Sequence, residues 1–550
     1  MAAVAYSTER IDHLGVVAGV CREIGLATYL EALDTRAHER VGVGAATVAM
    51  ILNGLGFSNR RLYLVPQFFA NKPVAHLLGP GITAGDLNDE CLGRTLDWLY
   101  EHDPTALFAG IATRARRAFG IQACQLHADT TSFSVSGAYT SEEGDLDAQA
   151  IAITYGYSRD QRADLRQWML GLVTTHDGDV PVGLRTLDGN ASDQISLPEV
   201  MVAVQTQLRD AGDEPGLFVA DSAVYSQANM TRFQGAGVRW ICRVPETSTE
   251  AKAAVAASCA PDSAWQANAD ETVHWVSHRL ALPQGEERWL VVRTRPGEQR
   301  ARASLTRQVS QAQEQWQRTL WHLSHQDFAC AADAQAALAR TRKALPRWLH
   351  IQGEALPHAR YAHRGRPSRN VVPTAVIWRL QTELAVDPEQ VEWEARRRAC
   401  FLVGTNILDP AALPEEEAIR IYVQDQGGVE RGFAFLKDPL FLASSVFLKK
   451  PARIVALSLV MVLCLLVYRL AERRLRQQLV ATGQTLPNQL NQPTARPTLR
   501  WVFQCFEGID RLTIQTPAGP YVILLHLTPL HEQILTLLGP TYRAIYHLSM

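Results

Sequence analysis

Apolar residues recur at three- and four-residue spacing in Val16–Leu33, Ala45–Leu55, Leu87–His102 and Pro104–Phe119, which predicts helices over most of residues 1–118. The pattern then changes. Cys124–Asp129 reads as a short apolar strand ending on an acid, and Thr131–Tyr139 as a second alternating run. Met169–His176 and Val180–Leu187 flank Asp177-Gly178-Asp179, a hairpin signal. Leu197–Leu208 has a helical pattern, Leu217–Asp221 is another short apolar strand ending on an acid, and a helix near Ala223–Gln234 precedes a strand at Val238–Val244. Strands alternating with helices predict a mixed α/β domain over residues 119–245.

Residues 246–395 break this pattern. Gln299–Leu345 is long, polar and helix-rich, and Ala359–Asn370 is a basic loop containing Arg364 and Arg366. The α/β pattern resumes at Cys400–Asn406, and Pro414 with Glu415–Glu417 makes a helix start. We therefore expect an insertion at 246–395, completion of the α/β domain over 396–440, a C-terminal helix over 441–482, and a linker with a small terminal appendage over 483–550. Ile454–Tyr468 is an uncharged run of fifteen residues flanked by Arg453 and Arg469. A membrane span needs about 20, so a buried core helix is expected and no membrane partner.

Composition adds limits. The chain has 550 residues, 47% hydrophobic and 20% charged, with a net charge of −2. That fits a globular protein of several domains, and confines any nucleic-acid surface to local basic patches. Arg60, Arg61, Arg114, Arg116 and Arg117 could meet phosphates or simply be solvated helix ends. The nine cysteines form no Cys-x-x-Cys pair, which fits a reducing, cytoplasmic setting.

Candidate chemistry lies in Ile421–Pro439. On one helix Tyr422, Gln426, Glu430 and Lys437 would share a face. Asp129 and Asp221, each closing an apolar strand, supply two further carboxylates. Three carboxylates on separate elements can hold two hard divalent cations through oxygen. Each acid taken alone reads more readily as a helix cap, a turn residue or part of a solvated face. His127 shares the strand face of Asp129 and is expected to be packed.

Six motifs carry a resemblance: LHADTTSFSVSGAY, LRTLDGNASD, FVADSAVYS, WICRVP, FLVGTN and VERGFAFLKDP. Together they resemble the DDE transposases of bacterial insertion sequences, in the IS-four-like superfamily and nearest its IS-sixteen-thirty-four-like branch, over most of residues 8–475. The resemblance implies an RNase H-like catalytic core with a large insertion, preceded by a helical N-terminal domain that binds DNA ends and followed by a helical C-terminal part. It implies Asp129, Asp221 and Glu430 as catalytic residues and ligands of two Mg²⁺ or Mn²⁺ ions. Lys437, Gln426, Arg431, Tyr422, Arg364 and Arg366 are then expected at DNA. The implied partners are double-stranded inverted-repeat ends and target DNA, with a homodimer in the active complex.

The implied reaction is cut-and-paste transposition, in which water frees a 3′-OH that forms a hairpin end and later joins target DNA. A hairpin needs a flipped base stacked on an aromatic ring, for which Trp275, Trp289, Trp316 and Trp321 are candidates, although core packing is the commoner fate of such residues. One departure stands out. Measured back from Glu430, the superfamily's arginine position holds Gln426 and its tyrosine position holds Val423, with Tyr422 one residue early. Gly427-Gly428 also costs a helix about 1 kcal/mol per glycine relative to alanine, so a break is expected there. Two rivals remain: an inactive or recruited DNA-binding protein on the same fold, and a nuclease that does not transpose.

Overall fold

A computed structural model describes residues 6–36, 40–58, 62–137, 139, 150–157, 162–214, 216–260, 262–362, 372–424, 427–438, 441 and 448–547. Its centre is a mixed sheet of nine strands. In chain order these are β1 (Gln125–Val135), β2 (Arg166–Thr175), β3 (Pro181–Leu187), β4 (Leu217–Ala220), β5 (Arg239–Val244), β6 (Gln266–Ala267), β7 (Val273–Leu282), β8 (Gly285–Thr294) and β9 (Cys400–Thr405). Their spatial order is β3-β2-β1-β4-β5-β9-β8-β7-β6. β1, β2 and β3 are antiparallel neighbours, whereas β1, β4 and β5 run parallel. β9 pairs antiparallel with both β5 and β8.

The connections explain the directions. β2 and β3 are joined by the expected tight turn, with positive φ at Gly178 (83°) and Asp179 (56°). The parallel strands need long crossovers, supplied by the helices Asp193–Asp210 and Gln227–Ala236. These cover one sheet face, packing on Leu126, Ala128, Phe218, Ala220, Trp240 and Cys242. On the other face Leu217, Val219 and Ile241 pack with Ala418, Ile419 and Ile421 of the Glu415–Gln424 helix. β4 is buried on both faces, hence its unbroken apolar sequence.

One difference from the sequence reading concerns β1. It does not stop at Asp129 but continues to Val135, because β2 pairs with it along its whole length.

Among the described residues, seven helices lie between Leu14 and Phe119, and four of them, Leu14–Glu23, Val43–Leu55, Asp89–Glu101 and Pro104–Phe119, pack around the C-terminal helix Pro451–Thr482. This 32-residue helix is long and apolar enough to cross a membrane, yet its most apolar stretch is entirely buried within the protein. Polar contacts pin it along its length. Arg453 pairs with Asp97 (2.7 Å), Ser458 accepts from the Trp168 indole (3.1 Å), and Arg473 pairs with Asp177 and donates to the Phe119 carbonyl (2.9 Å). Arg116, one of the arginines weighed for phosphate contact, is buried and paired with Asp213 (2.8 Å). Arg60 and Arg61 lie outside the described residues.

The last fifty residues pack back onto the first thirty. Tyr6–Arg10 pairs with Asp510–Thr516, which pairs with Gly519–Leu525. Tyr542 and Tyr546 lie against Gly19 and Gly15, where a Cβ would come within 2.6 and 2.5 Å of the rings. The segment between β5 and β9 extends the sheet with β6–β8. It also carries the helices Arg295–Ser324 and Ala331–Ala344 and an antiparallel hairpin, Leu349–Arg360 with Ala375–Val386. These form their own small core around Leu320, Phe328, Leu338, Ile351 and Leu380.

Candidate functional site

Asp129 and Asp221 come level with each other by strand register. β1 and β4 are parallel, with His127 opposite Val219. Two residues further on, just past the last paired residues, the backbone reaches Asp129 on β1 and Asp221 directly after the end of β4. Side chains alternate along a strand, so Asp129 points to the face opposite Leu126, Ala128, Phe218 and Ala220. That is the face covered by the helices Glu415–Gln424 and Gly427–Leu436. At this level β4 ends. Asp221 caps the short turn Ser222–Val224, its Oδ1 accepting from the Ala223 amide at 2.9 Å. Asp129 is half-buried and Asp221 exposed. The strand pair therefore opens at the point where it presents two carboxylates.

Glu430 lies on the helix Gly427–Leu436, whose first two residues are the glycines where a break was expected, so both are helical. Asp425 and Gln426 lie outside the described residues. Two glycines show how this helix sits on the sheet. A Cβ on Gly428 would lie 2.6 Å from Asp179 Oδ1 and 3.8 Å from Thr174, and one on Gly432 would lie 3.4 Å from Leu172. Thr174 pairs with His127 and Leu172 with Asp129. Glu430, two residues from each glycine, lies between the levels of His127 and Asp129 along the sheet, on a side of the helix turned about 160° from the two sheet-facing glycines. Farther on, Lys437 Nζ is 5.8 Å from the centre of the Phe133 ring on β1. Seven helical residues return to within about 20° of the starting direction, and the Lys437 amide still bonds back to Phe433 at 2.9 Å. The helix side that carries Glu430 is therefore the side that looks over β1. Glu430 itself is exposed.

The other expected residues have different surroundings. Arg431 holds Asp179 through two prongs, 3.0 and 2.8 Å long, so it fastens the Glu430 helix to the β2–β3 turn. Tyr422 is half-buried and packs near Phe401, with ring centres 6.4 Å apart, on the preceding helix Glu415–Gln424. Arg364 and Arg366 lie outside the described residues. His127 is buried beside Gln125. Of the four tryptophans, Trp275 and Trp289 are buried in the sheet's cores, Trp316 is half-buried, and Trp321 is exposed beside His322 and His325.

A polar group missed in the sequence lies just past Asp221. Glu287 on β8 is buried and accepts from the Tyr225 hydroxyl (2.8 Å), the Trp289 indole (2.7 Å) and Gln284 (3.0 Å). Burial pushes its carboxyl above the usual range. Glu287 and Tyr225 are 62 residues apart, so no local spacing signals the pair.

Among the described residues, no three His, Cys, Asp or Glu side chains converge closely enough to form a ready-made metal cage. The donor set at the open end of β1 and β4 is nonetheless all carboxylate, which suits a hard cation rather than a soft one.

Comparisons with known proteins give two likenesses. Residues 6–113 match a family described as a domain of unknown function, DUF4277. The chain is also similar to the piggyBac transposase in a cryo-EM structure of its synaptic complex with hairpin DNA. That likeness has 7% identity and a TM-score of 0.36, and covers 91% of this chain and 82% of that one. No curated protein matches the sequence. The fold is mixed α/β around a large mixed sheet.

Proposed function

We propose that this chain is a DDE transposase of a bacterial insertion sequence, of the IS-four-like kind, that cuts and joins DNA at its element's inverted repeats. The observation that carries the reading is the level placement of Asp129 and Asp221 on adjacent parallel strands, with the Glu430 helix laid over the same face. The order β3-β2-β1-β4-β5, three antiparallel strands followed by two parallel ones, supports an RNase H-like core. Residues 1–118 then serve DNA-end binding, and residues 246–395 are the insertion within that core.

Asp129, Asp221 and Glu430 would hold two Mg²⁺ or Mn²⁺ ions. When bound, the ions supply Lewis-acid activation of the attacking oxygen and neutralise the charge that builds on the phosphate. The chain's own work is positioning. The β1–β4 pair fixes the two aspartates, and the helix holds Glu430 at a set height, tied down by Arg431. Lys437, two turns along, gives a phosphate a point charge. Two protomers would act together on two ends, in the cytoplasm.

The test uses the full chain and duplexes bearing the element's own ends, with Mg²⁺. Asp129→Asn, Asp221→Asn and Glu430→Gln should each lower end cleavage at least about 100-fold while duplex binding survives. Undiminished cutting by any one of them removes that residue from the site. A wild-type chain that binds the ends but never cuts them supports the DNA-binding rival, and one that cuts but never joins ends to target supports the nuclease.

A further inference from the structure

The short helix Leu499–Cys505, in the terminal appendage, meets the far end of the Glu430 helix. Two side chains of the C-terminal helix Pro451–Thr482 fix its first turn. Glu472 accepts from the Leu499 amide at 3.1 Å, and the Tyr468 hydroxyl accepts from the Arg500 amide at 3.0 Å. The backbone that carries the Arg500 side chain is therefore anchored on the core.

That side chain reaches out of the appendage. Its guanidinium pairs with the Asp438 carboxylate, 62 residues upstream, and lies over the Phe57 ring at 4.9 Å. Asp438 stands where the Glu430 helix ends. Its amide bonds back to the Phe435 carbonyl at 3.1 Å, and its own carbonyl accepts from the Phe441 amide at 2.9 Å. Phe435, on the last turn of the helix, meets Phe57 edge-on, with ring centres 6.2 Å apart. It also packs against Tyr468 at 4.7 Å and Phe441 at 5.1 Å. The N-terminal helices, the C-terminal helix and the appendage thus close together on one helix end.

We propose that Arg500 is a positioning residue for the Glu430 helix, which makes the terminal appendage a working part of the site. The proposal rests on the reading of Glu430 as a metal ligand and Lys437 as a phosphate contact. A helix of ten residues that opens with two glycines cannot hold its own place, since isolated helices below about 12 residues are marginal. It needs ties at both ends. Arg431 and Asp179 supply the tie near its start. Arg500, Asp438 and the rings around Phe435 supply the tie at its close. Glu430 and Lys437 both lie between Gly427 and Asp438. With the second tie gone, the helix pivots about Arg431, and Lys437, next to Asp438, moves most. The pair also balances the charge of Asp438 beside the lysine meant for phosphate.

The experiment uses the full chain and two readouts. Arg500 and Asp438 are both partly exposed, so Arg500→Gln and Asp438→Asn are expected to fold. Arg511→Gln is the control, because Arg511 belongs to the same appendage but pairs with Glu9 at 2.8 Å. In amide hydrogen exchange, peptides covering Val429–Lys437 should exchange at least about tenfold faster in Arg500→Gln and Asp438→Asn, and at the wild-type rate in Arg511→Gln. Arg500→Lys, which keeps the charge, should restore part of the protection. In Mg²⁺-dependent end cleavage, Arg500→Gln should lower kcat about tenfold and leave KM for DNA within about twofold. The double variant should lose no more than the worse single one, since both break one contact.

Unchanged exchange in Arg500→Gln overturns the proposal, and so does an equal effect from Arg511→Gln, which would mean general loosening of the appendage. A raised KM with unchanged kcat also overturns it, by making Arg500 a DNA contact. Faster exchange in a chain that cuts no DNA supports the tie and overturns the metal-ligand reading on which its purpose rests.

Discussion

Arg431 and Asp179 are joined by a two-pronged ion pair across 252 residues of sequence, and the pair sets the height of Glu430 over the sheet. Asp179 sits in the β2–β3 turn, and Arg469 of the C-terminal helix approaches it from the other side at 3.9 Å. The Arg431 side chain is 60% exposed, so solvent screens the pair and its loss should cost stability no more than about 1 kcal/mol. Arg431→Ala should therefore melt close to the wild type but cut DNA ends more slowly, through a loosened Glu430. The salt dependence of DNA binding tells positioning from direct contact. Loss of one phosphate contact lowers the slope of log K against log salt by about 0.9, whereas a positioning role leaves it unchanged.

Gly428 tests the same contact from below. On propensity alone, alanine in this helix should stabilise it by about 1 kcal/mol. A Cβ at Gly428 would instead stand 2.6 Å from Asp179 Oδ1. That carboxylate is held by Arg431 and belongs to a turn residue at positive φ, so it has little room to yield. Gly428→Ala should lower the melting temperature and end cleavage together. A more stable, fully active variant would show that the helix is not seated on the turn.

These contacts mark how far the sequence could be read. The apolar strand that closes on Asp221 and the Asp177-Gly178-Asp179 turn have local causes, namely an apolar run and left-handed backbone, whereas Gly427 and Gly428, where a break was expected, are both helical. The strand and the turn were legible for that reason. The continuation of β1 past Asp129 was not, because it depends on pairing with β2 after β4 has turned away. Nor was the second use of the turn acids, Asp177 holding Arg473 and Asp179 holding Arg431. The tyrosines that fill Gly15 and Gly19 come from more than 500 residues downstream. Such partners leave no periodicity, only small residues and acids whose reason lies elsewhere in the chain.

The apolar helix gives a prediction that separates core from membrane. Leu465 is fully buried, and its side chain lies 3.2 Å from where a Cβ on Gly432 would stand. Leu465→Ala should cost about 2–5 kcal/mol, since deleting a buried side chain removes transfer energy and leaves a cavity. Urea unfolding of the chain in detergent-free buffer measures this directly. A chain that requires detergent, with a Leu465→Ala variant of unchanged stability, would mean that the helix faces lipid.

Stability should also fall in mild acid because of one histidine. His13 is buried, shares a hydrogen bond with the Leu55 carbonyl at 2.9 Å and stacks on Phe503 at 4.3 Å. Burial is the main cause that lowers its pKa from 6.5 to about 4. The unfolded chain takes up this proton below pH 6.5, but the folded chain does not until about pH 4. The contribution is therefore whole above pH 6.5 and is lost as pH falls through that window, about 3 kcal/mol in all. His13→Gln can donate to Leu55 but cannot titrate in this range. Urea titrations of both proteins at pH 7, 5.5 and 4 should show the wild type losing stability more steeply by roughly that amount. Parallel slopes would mean that His13 is already charged in the fold, or that acid opens this part of the helical domain before the ring titrates.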